Sequence, residues 1–243
     1  MQFKIDEIKK LHQKKYRAEF GHFLVEGEHL ILELEKAAKQ NTALQECELF
    51  VTEAYQNFPS RFKKNLVSEK NMAQLSDTKT PQGIIAVAPI LSSSNSTNNN
   101  ERAIYLHEVQ DPGNLGTILR SLAWFGNFRC LLSPGSVDPY NPKVVRSSMG
   151  AIFHVSMELD VVLESLSTRF NSIATLDMNG KALSDSSFKH FDCYVFGNEA
   201  RGVPREALQT INAEPFTISG CGAIESLNLA SAVNMCVYEL VRK

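Results

Sequence analysis

Short apolar runs rich in β-branched and aromatic residues alternate with segments of helical period from Phe23 to Leu240. That alternation restricts the chain to α/β architecture, in which strands pair side by side and helices cover them. In the first block the spacing predicts strands at 23–25, 49–52, 66–68 and 83–88 and helices at 30–38, 55–62 and 72–75. The run GIIAVA at 83–88 is the strongest strand signal among these. The Ser/Asn-rich stretch PILSSSNSTNNNER, 89–102, then breaks the rhythm with a composition too polar to order itself strongly. It reads as a boundary, with a long surface loop inside one domain as the alternative. The expected organisation is a small α/β domain at 1–90, a linker at 91–102 and a second domain at 103–243.

In the second block strands are expected at 103–109, 128–132, 172–176, 193–196 and 216–218. Helices are expected at 114–125, 142–149 (leading into 152–155), 161–170 and 204–211, and a closing helix carries the apolar stripe Leu229, Val233, Cys236, Val237 and Leu240. Strands separated by helices imply a mainly parallel sheet.

Composition excludes several function classes. No apolar run reaches the length of a membrane span and the first residues, MQFKIDEIKKLHQKKY, lack a signal-peptide core, so the expected setting is the cytoplasm and no membrane partner is expected. The 5 cysteines are scattered without a CxxC pair, and the histidines form no HExxH or tight His/Cys/Asp cluster, which argues against a disulfide framework or a metal site. A net charge of −2 argues against a uniformly basic surface, yet binding a polyanion needs only a local basic face. One candidate is the opening segment, where Lys4, Lys9, Lys10, Lys14, Lys15 and Arg17 outnumber Asp6 and Glu7. Such a segment can lie against phosphates or be a solvated helix face.

Three polar, glycine-bearing loops follow expected strands of the second block. The first, DPGNLG at 111–116, opens a helix with Asn114 at its N-cap and Arg120 further along. The second is GNEARGVP at 197–204, and the third is SGCGAIESLN at 219–228. In open α/β sheets ligands bind at the carboxyl ends of strands, so the three can line one pocket in which glycines admit a ligand close to the backbone. Each loop taken alone is also explained by turn and capping roles.

The set DPGNLGTILRSLAWFG, FGNEARGVP and ISGCGAIESLNLASA resembles, in order and spacing, the three motifs of the SpoU (TrmH) branch of the SPOUT RNA methyltransferases, over roughly 104–240. Residues 1–90, including FLVEGEHLILE, more loosely resemble the small substrate-binding domain often fused ahead of it, which is similar to RNA-binding ribosomal proteins. The resemblance implies a deep C-terminal trefoil knot, a topology that ordinary chain-connection rules exclude. It further implies S-adenosylmethionine as cofactor, methylation of a ribose 2′-hydroxyl in RNA, and a homodimer with the site near the subunit interface. Carried over residue by residue, it implies catalytic roles for Arg120, Asn114, Glu199, Ser226 and Asn228. Gly197, Ile218 and Leu227 would hold the cofactor through their backbones, and Thr175 would touch it from a preceding loop. Arg120 is the family's match for assisting loss of the 2′-hydroxyl proton, but a guanidinium keeps its own proton at physiological pH, so orienting a phosphate and stabilising the developing alkoxide fits it better than acting as the base. Ribosomal RNA is the expected target because similar two-domain proteins mostly act on it. The competing readings are a tRNA 2′-O-methyltransferase, a noncatalytic RNA-binding protein that keeps the fold, and a dinucleotide oxidoreductase, which lacks the GxGxxG it would need after a first strand.

Overall fold

The computed structural model describes residues 3–91, 101–224 and 226–242. Its elements run in chain order as α1 (Ile5–Lys10), α2 (Lys14–Phe20), β1 (His22–Glu26), α3 (Glu28–Ala37), β2 (Glu48–Val51), β3 (Lys63–Leu66), α4 (Glu69–Leu75), β4 (Ile84–Pro89), β5 (Arg102–Leu106) and α5 (Pro112–Phe125). They continue as β6 (Phe128–Leu132), α6 (Pro142–Ser147), β7 (Ser156–Glu158), α7 (Leu166–Arg169), β8 (Ile173–Ala182), β9 (Cys193–Phe196), α8 (Arg205–Thr210), β10 (Glu214–Thr217) and α9 (Leu229–Val241). Two compact units result, one made of 1–92 and 138–154 and the other of 93–137 and 155–243. Most of the expected linker, 92–100, lies outside the described residues, as does Glu225 of the third loop.

The first unit is built on a mixed sheet of order β1-β4-β2-β3, with β4 antiparallel to β1 and β2, and β2 parallel to β3. Leu24, Phe50, Ile85 and Val87 meet Ile8, Leu11, Met72 and Leu75 in one core cluster. The edge strand β3 exposes Lys63 and Lys64, charges that discourage pairing with another chain. Segment 138–154, expected in the second domain, packs instead with the first unit. The cause is non-local: the Phe23 ring on β1 meets Tyr140 at 4.8 Å and Phe153 at 6.4 Å. Buried Arg17 adds a clamp, donating to the Asp138 carboxylate through Nε at 2.9 Å and through Nη2, and to the Leu11 carbonyl through Nη1 at 2.7 Å.

The second unit has a six-stranded sheet of order β10-β8-β9-β5-β6-β7, with every neighbouring pair parallel. The central strands are apolar and buried, as a sheet covered on both faces requires: all of CYVF in β9, and Ala103 to Leu106 in β5. The three polar loops therefore leave β5, β9 and β10 at the same, carboxyl, edge of the sheet.

Several elements differ from the sequence expectation. In place of a helix at 55–62 there is a 3₁₀ turn at Glu53–Tyr55, because Pro59 lacks the N–H a helix needs and restricts Phe58. The helix expected at 161–170 shrinks to a 3₁₀ turn, Leu163–Ser165, followed by α7, while Leu163, Leu166 and Phe170 still reach the core. The strand expected at 66–68 lies earlier, as β3. The one expected at 172–176 extends to Ala182, and its pairing with β10 jumps from Pro215↔Thr175 to Phe216↔Lys181, so 176–180 bulges outward. Gly180 closes that bulge: a Cβ there would lie 2.5 Å from the Pro215 carbonyl carbon.

The Arg17–Asp138 pair yields a stability prediction. Asp138→Ala leaves a buried guanidinium uncompensated and is expected to destabilise the first unit by about 3–5 kcal/mol in urea titrations followed by circular dichroism, whereas Arg17→Met with Asp138→Leu recovers most of the loss. An Asp138→Ala variant as stable as the parent contradicts the clamp.

Candidate active site

The first loop turns into α5 with its N-cap three residues earlier than the sequence suggests. Asp111, not Asn114, is the N-cap: its Oδ1 accepts from the Asn114 backbone N–H at 2.7 Å, and Pro112 takes the first helical position, where a missing N–H costs nothing. Asn114 thus sits one turn inside the helix with its amide free for other work. Its Nδ2 donates to Glu199 Oε1 at 3.1 Å, and its Oδ1 accepts from Asn228 Nδ2 at 2.8 Å. Asn228 is the N-cap of α9, accepting from the Ser231 N–H at 3.2 Å. Glu199 also accepts from the backbone N–H groups of Gln110 at 3.3 Å and Asp111 at 3.4 Å. One directional chain of hydrogen bonds therefore ties the second loop to the first and the first to the third. Each amide in it donates from nitrogen and accepts at oxygen, so their dipoles reinforce one another.

The second loop is anchored by a further set that sequence reading missed. Asn198 donates from Nδ2 to the Glu108 carbonyl at 2.7 Å and accepts at Oδ1 from the N–H groups of Ala200 and Arg201 at 2.9 and 3.1 Å. Arg201 Nη2 pairs with Glu108 Oε2 at 2.7 Å. Glu108 holds a left-handed backbone, φ 48°, uncommon outside glycine and a sign of local strain. Gly197, at the end of β9, is required by packing, since a Cβ would lie 2.5 Å from the Gly202 carbonyl carbon. Nearby, burial lowers the pKa of His107 below the ordinary imidazole value, and its Nδ1 is buried without a partner. No periodicity marks these residues; the left-handed turn at Glu108 in particular is invisible in sequence.

The remaining expected site residues are distributed as follows. Arg120 is exposed on α5, six residues beyond Asn114 and about 9 Å along the axis, on the stripe that also presents Thr117 and Trp124. Every other arginine except Arg205 is tied to a carboxylate or a backbone carbonyl, so among the described residues these two guanidiniums stand unpaired. Ser226 and Leu227 are exposed, and Ile218 is half-buried directly after β10. Among the described residues, 218–224, 226 and 227 make no backbone–backbone hydrogen bond. Thr175 lies within β8 rather than in a loop, buried, with its hydroxyl donating to the Val195 carbonyl at 3.3 Å. Beside it opens a cleft of about 640 Å³ shared with Asp177, Asn179, Arg205 and Gln209. The structure thus joins Asn114, Glu199 and Asn228 by direct contact; among the described residues no hydrogen bond ties Arg120, Ser226, Thr175, Gly197, Ile218 or Leu227 to them. Among the described residues no group of His, Cys, Asp and Glu is gathered to hold a metal, and no helix is long and apolar enough to cross a membrane.

This arrangement coincides with known families. The model of the SpoU rRNA Methylase family matches residues 101–238, and that of the MRM3-like substrate binding domain matches 3–86. The chain belongs to the SpoU rRNA methylase family. The 23S rRNA (guanosine(2553)-2′-O)-methyltransferase RlmP of Bacillus subtilis is 30% identical, across 98% of this chain and 95% of the relative. A TrmH-family protein from Porphyromonas gingivalis, 28% identical, superposes with a TM-score of 0.83 over 99% of this chain and 98% of that one. The SpoU methyltransferase AviRb from Streptomyces viridochromogenes, solved in complex with AdoMet, superposes with a TM-score of 0.84 at 19% identity over 99% of this chain and 97% of that one, a likeness of fold.

Thiol chemistry offers a direct check on the third loop. Burial pushes the thiols of Cys47, Cys130 and Cys236 up to about 12 and raises that of Cys193 as well, while Cys221 in the third loop is exposed. Raised thiols stay protonated at pH 8, and only thiolate reacts. Iodoacetamide is expected to alkylate Cys221 first, with the other four modified only on unfolding, as followed by peptide mass spectrometry. Fast modification of a buried thiol in the folded protein contradicts this placement.

Proposed function

We propose that this SpoU-family protein transfers the methyl group of S-adenosylmethionine to a ribose 2′-hydroxyl of ribosomal RNA. The observation that carries the reading is the hydrogen-bonded chain Glu199–Asn114–Asn228, which joins the three motif loops at one sheet edge. RlmP, similar over nearly its whole length, supports rRNA as the substrate class.

The residues present suit the cofactor. The backbone of 218–224, 226 and 227 offers N–H and C=O groups to an adenine and ribose, and Gly197 keeps the adjoining strand end free of a side chain. Ile218, Leu227 and Gly197 are thus assigned to the cofactor through their backbones, with Thr175 beside them. When bound, S-adenosylmethionine supplies a methyl group activated on a sulfonium. The protein's own work is to align the 2′-oxygen for in-line attack and to lower the cost of its negative charge. Arg120, without a partner among the described residues, is assigned to the RNA: its guanidinium orients a phosphate and stabilises the developing alkoxide. Asn114 and Glu199 fix the first loop, and Ser226 and Asn228 shape the floor of the site.

The reading extends to architecture. The deep trefoil knot is supported by the all-parallel sheet and by α9 returning from the edge strand β10 to pack along α5. A substrate-binding role for 1–90, ahead of a linker at 91–102 and a methyltransferase domain at 103–243, is supported by the MRM3-like match at 3–86. A homodimer is supported by exposed apolar side chains on α5 and α9: Trp124 at 84% exposure, Met235 and Tyr238. Met235 and Tyr238 share one face of α9, and Trp124 shares the α5 stripe of Arg120, so pairing there sets the catalytic arginine at the subunit boundary. A cytoplasmic setting agrees with five free cysteines.

Two experiments test these assignments. In calorimetry the protein is expected to bind S-adenosylmethionine and not NAD, and Arg120→Ala to retain that binding while losing about 100-fold or more in rRNA methylation rate. Absence of S-adenosylmethionine binding defeats the reading, and parental rates in Arg120→Ala defeat the arginine's role. Trp124→Glu with Tyr238→Glu is expected to convert a dimer into a monomer by light scattering; an unchanged mass places the interface elsewhere.

A further inference from the structure

We propose that Lys10, Lys14, Lys15 and Tyr16 form a contact surface for the RNA sugar-phosphate backbone on the first unit, a proposal that rests on the RNA methylation reading. Two observations carry it. The first is an anchored aromatic ring that gathers cations: Lys10 Nζ lies 5.4 Å and Lys15 Nζ 5.6 Å from the Tyr16 centroid. That ring stacks on Phe20 at 5.9 Å, which meets buried Phe3 at 6.4 Å, so the platform is rooted in the core and does not swing with the lysine stems. The second is the lack of neutralisation. Lys9 pairs with Asp6 at 3.3 Å and Lys36 with Glu33 at 2.7 Å, but among the described residues Lys10, Lys14 and Lys15 pair with no carboxylate. Holding two ammonium groups over one ring is opposed by their mutual repulsion, a cost that an anion bridging them removes.

A flexible lysine kept only for solubility needs neither a ring to gather it nor freedom from a carboxylate. A polyanion is served by both: closely spaced cations exchange condensed counterions for phosphates, and the ring holds them in place. Tyr16 is half-buried, with part of its surface open for such a contact. The chemistry selects RNA phosphates and does not distinguish sequence, so this surface contributes affinity and register while the methyl-transfer site selects the nucleotide.

The test is filter binding of in vitro transcribed 23S rRNA over a KCl series, with the full chain. Lys10→Gln, Lys14→Gln and Lys15→Gln combined are expected to make the slope of log K against log salt shallower by about 2, as loss of three phosphate contacts requires, and to weaken binding tenfold or more at moderate salt. The same three positions changed to Arg are expected to keep the parental slope. Calorimetric affinity for S-adenosylmethionine stays unchanged in both variants. A parental slope in the Gln variant, with parental protein binding both RNA and S-adenosylmethionine, overturns this surface and leaves the methylation reading intact. Failure of the parental protein to bind either ligand overturns both.

Discussion

The amide of Asn114 is the contact on which the candidate site depends. It is one planar group asked to donate to the second loop and accept from the third, and asparagine does this because its side chain carries both a donor and an acceptor at fixed separation. An aspartate at this position would face Glu199 with a like charge and have nothing to donate; a serine would be too short to span both partners. The arrangement is possible because Asp111 has already capped α5. A cap borrowed from Asn114 itself would consume the oxygen that Asn228 needs. Glu199 is exposed and two of its three bonds are long, so these donors fix the geometry of the loops more than they add to stability.

The loops around that amide are held by polar contacts as well as by the packing of Val109 and Val203. Glu108 pairs with Arg201, receives Asn198 on its carbonyl, and takes the Ser133 hydroxyl oxygen as acceptor for its own N–H at 2.7 Å. With Gln110 Nε2 also donating to its carbonyl at 3.0 Å, four attachments of this kind can maintain a left-handed glutamate, whose strain a free loop would relieve. The third loop is the opposite case, with its backbone between 218 and 227 left without internal hydrogen bonds among the described residues. The second loop is thus fixed by side-chain contacts of its own, while the third is tied to the first through Asn228.

Much of this was legible in sequence, and what was not has identifiable causes. The strands at the heart of each sheet, GIIAVA and CYVF, announce themselves because a fully buried strand is apolar at every position. The three loops are legible because glycine with Asn, Asp and Glu after a strand is an uncommon composition. Reading Asn114 as the cap overlooked the D-P-G-N order, in which proline at the first helical position points back to the aspartate before it. The attachment of 138–154 to the first unit rests on Arg17–Asp138 and Phe23–Tyr140, pairs more than 115 residues apart that no local pattern encodes. Thr175 falls inside the strand expected at 172–176; only the resemblance put it in a loop, and it is buried in the first part of β8.

The reconciliation of a net charge of −2 with a polyanionic substrate follows from how the cations are spent. A guanidinium bound to a carboxylate presents little field to solvent, and most of this chain's arginines are committed in that way. Among the described residues, the charges that remain effective include Arg120 and Arg205 in the second unit and several lysines in the first, of which Lys10 and Lys15 are gathered over the Tyr16 ring. Net charge therefore predicts little here, because it counts paired and free cations alike. At physiological ionic strength the Debye length is about 8 Å, so a phosphate responds to the few unpaired cations within that reach and not to acidic residues elsewhere on the surface. A protein of slightly acidic composition can on these terms hold RNA at two separate places, provided its carboxylates are used up in binding the arginines that carry structure.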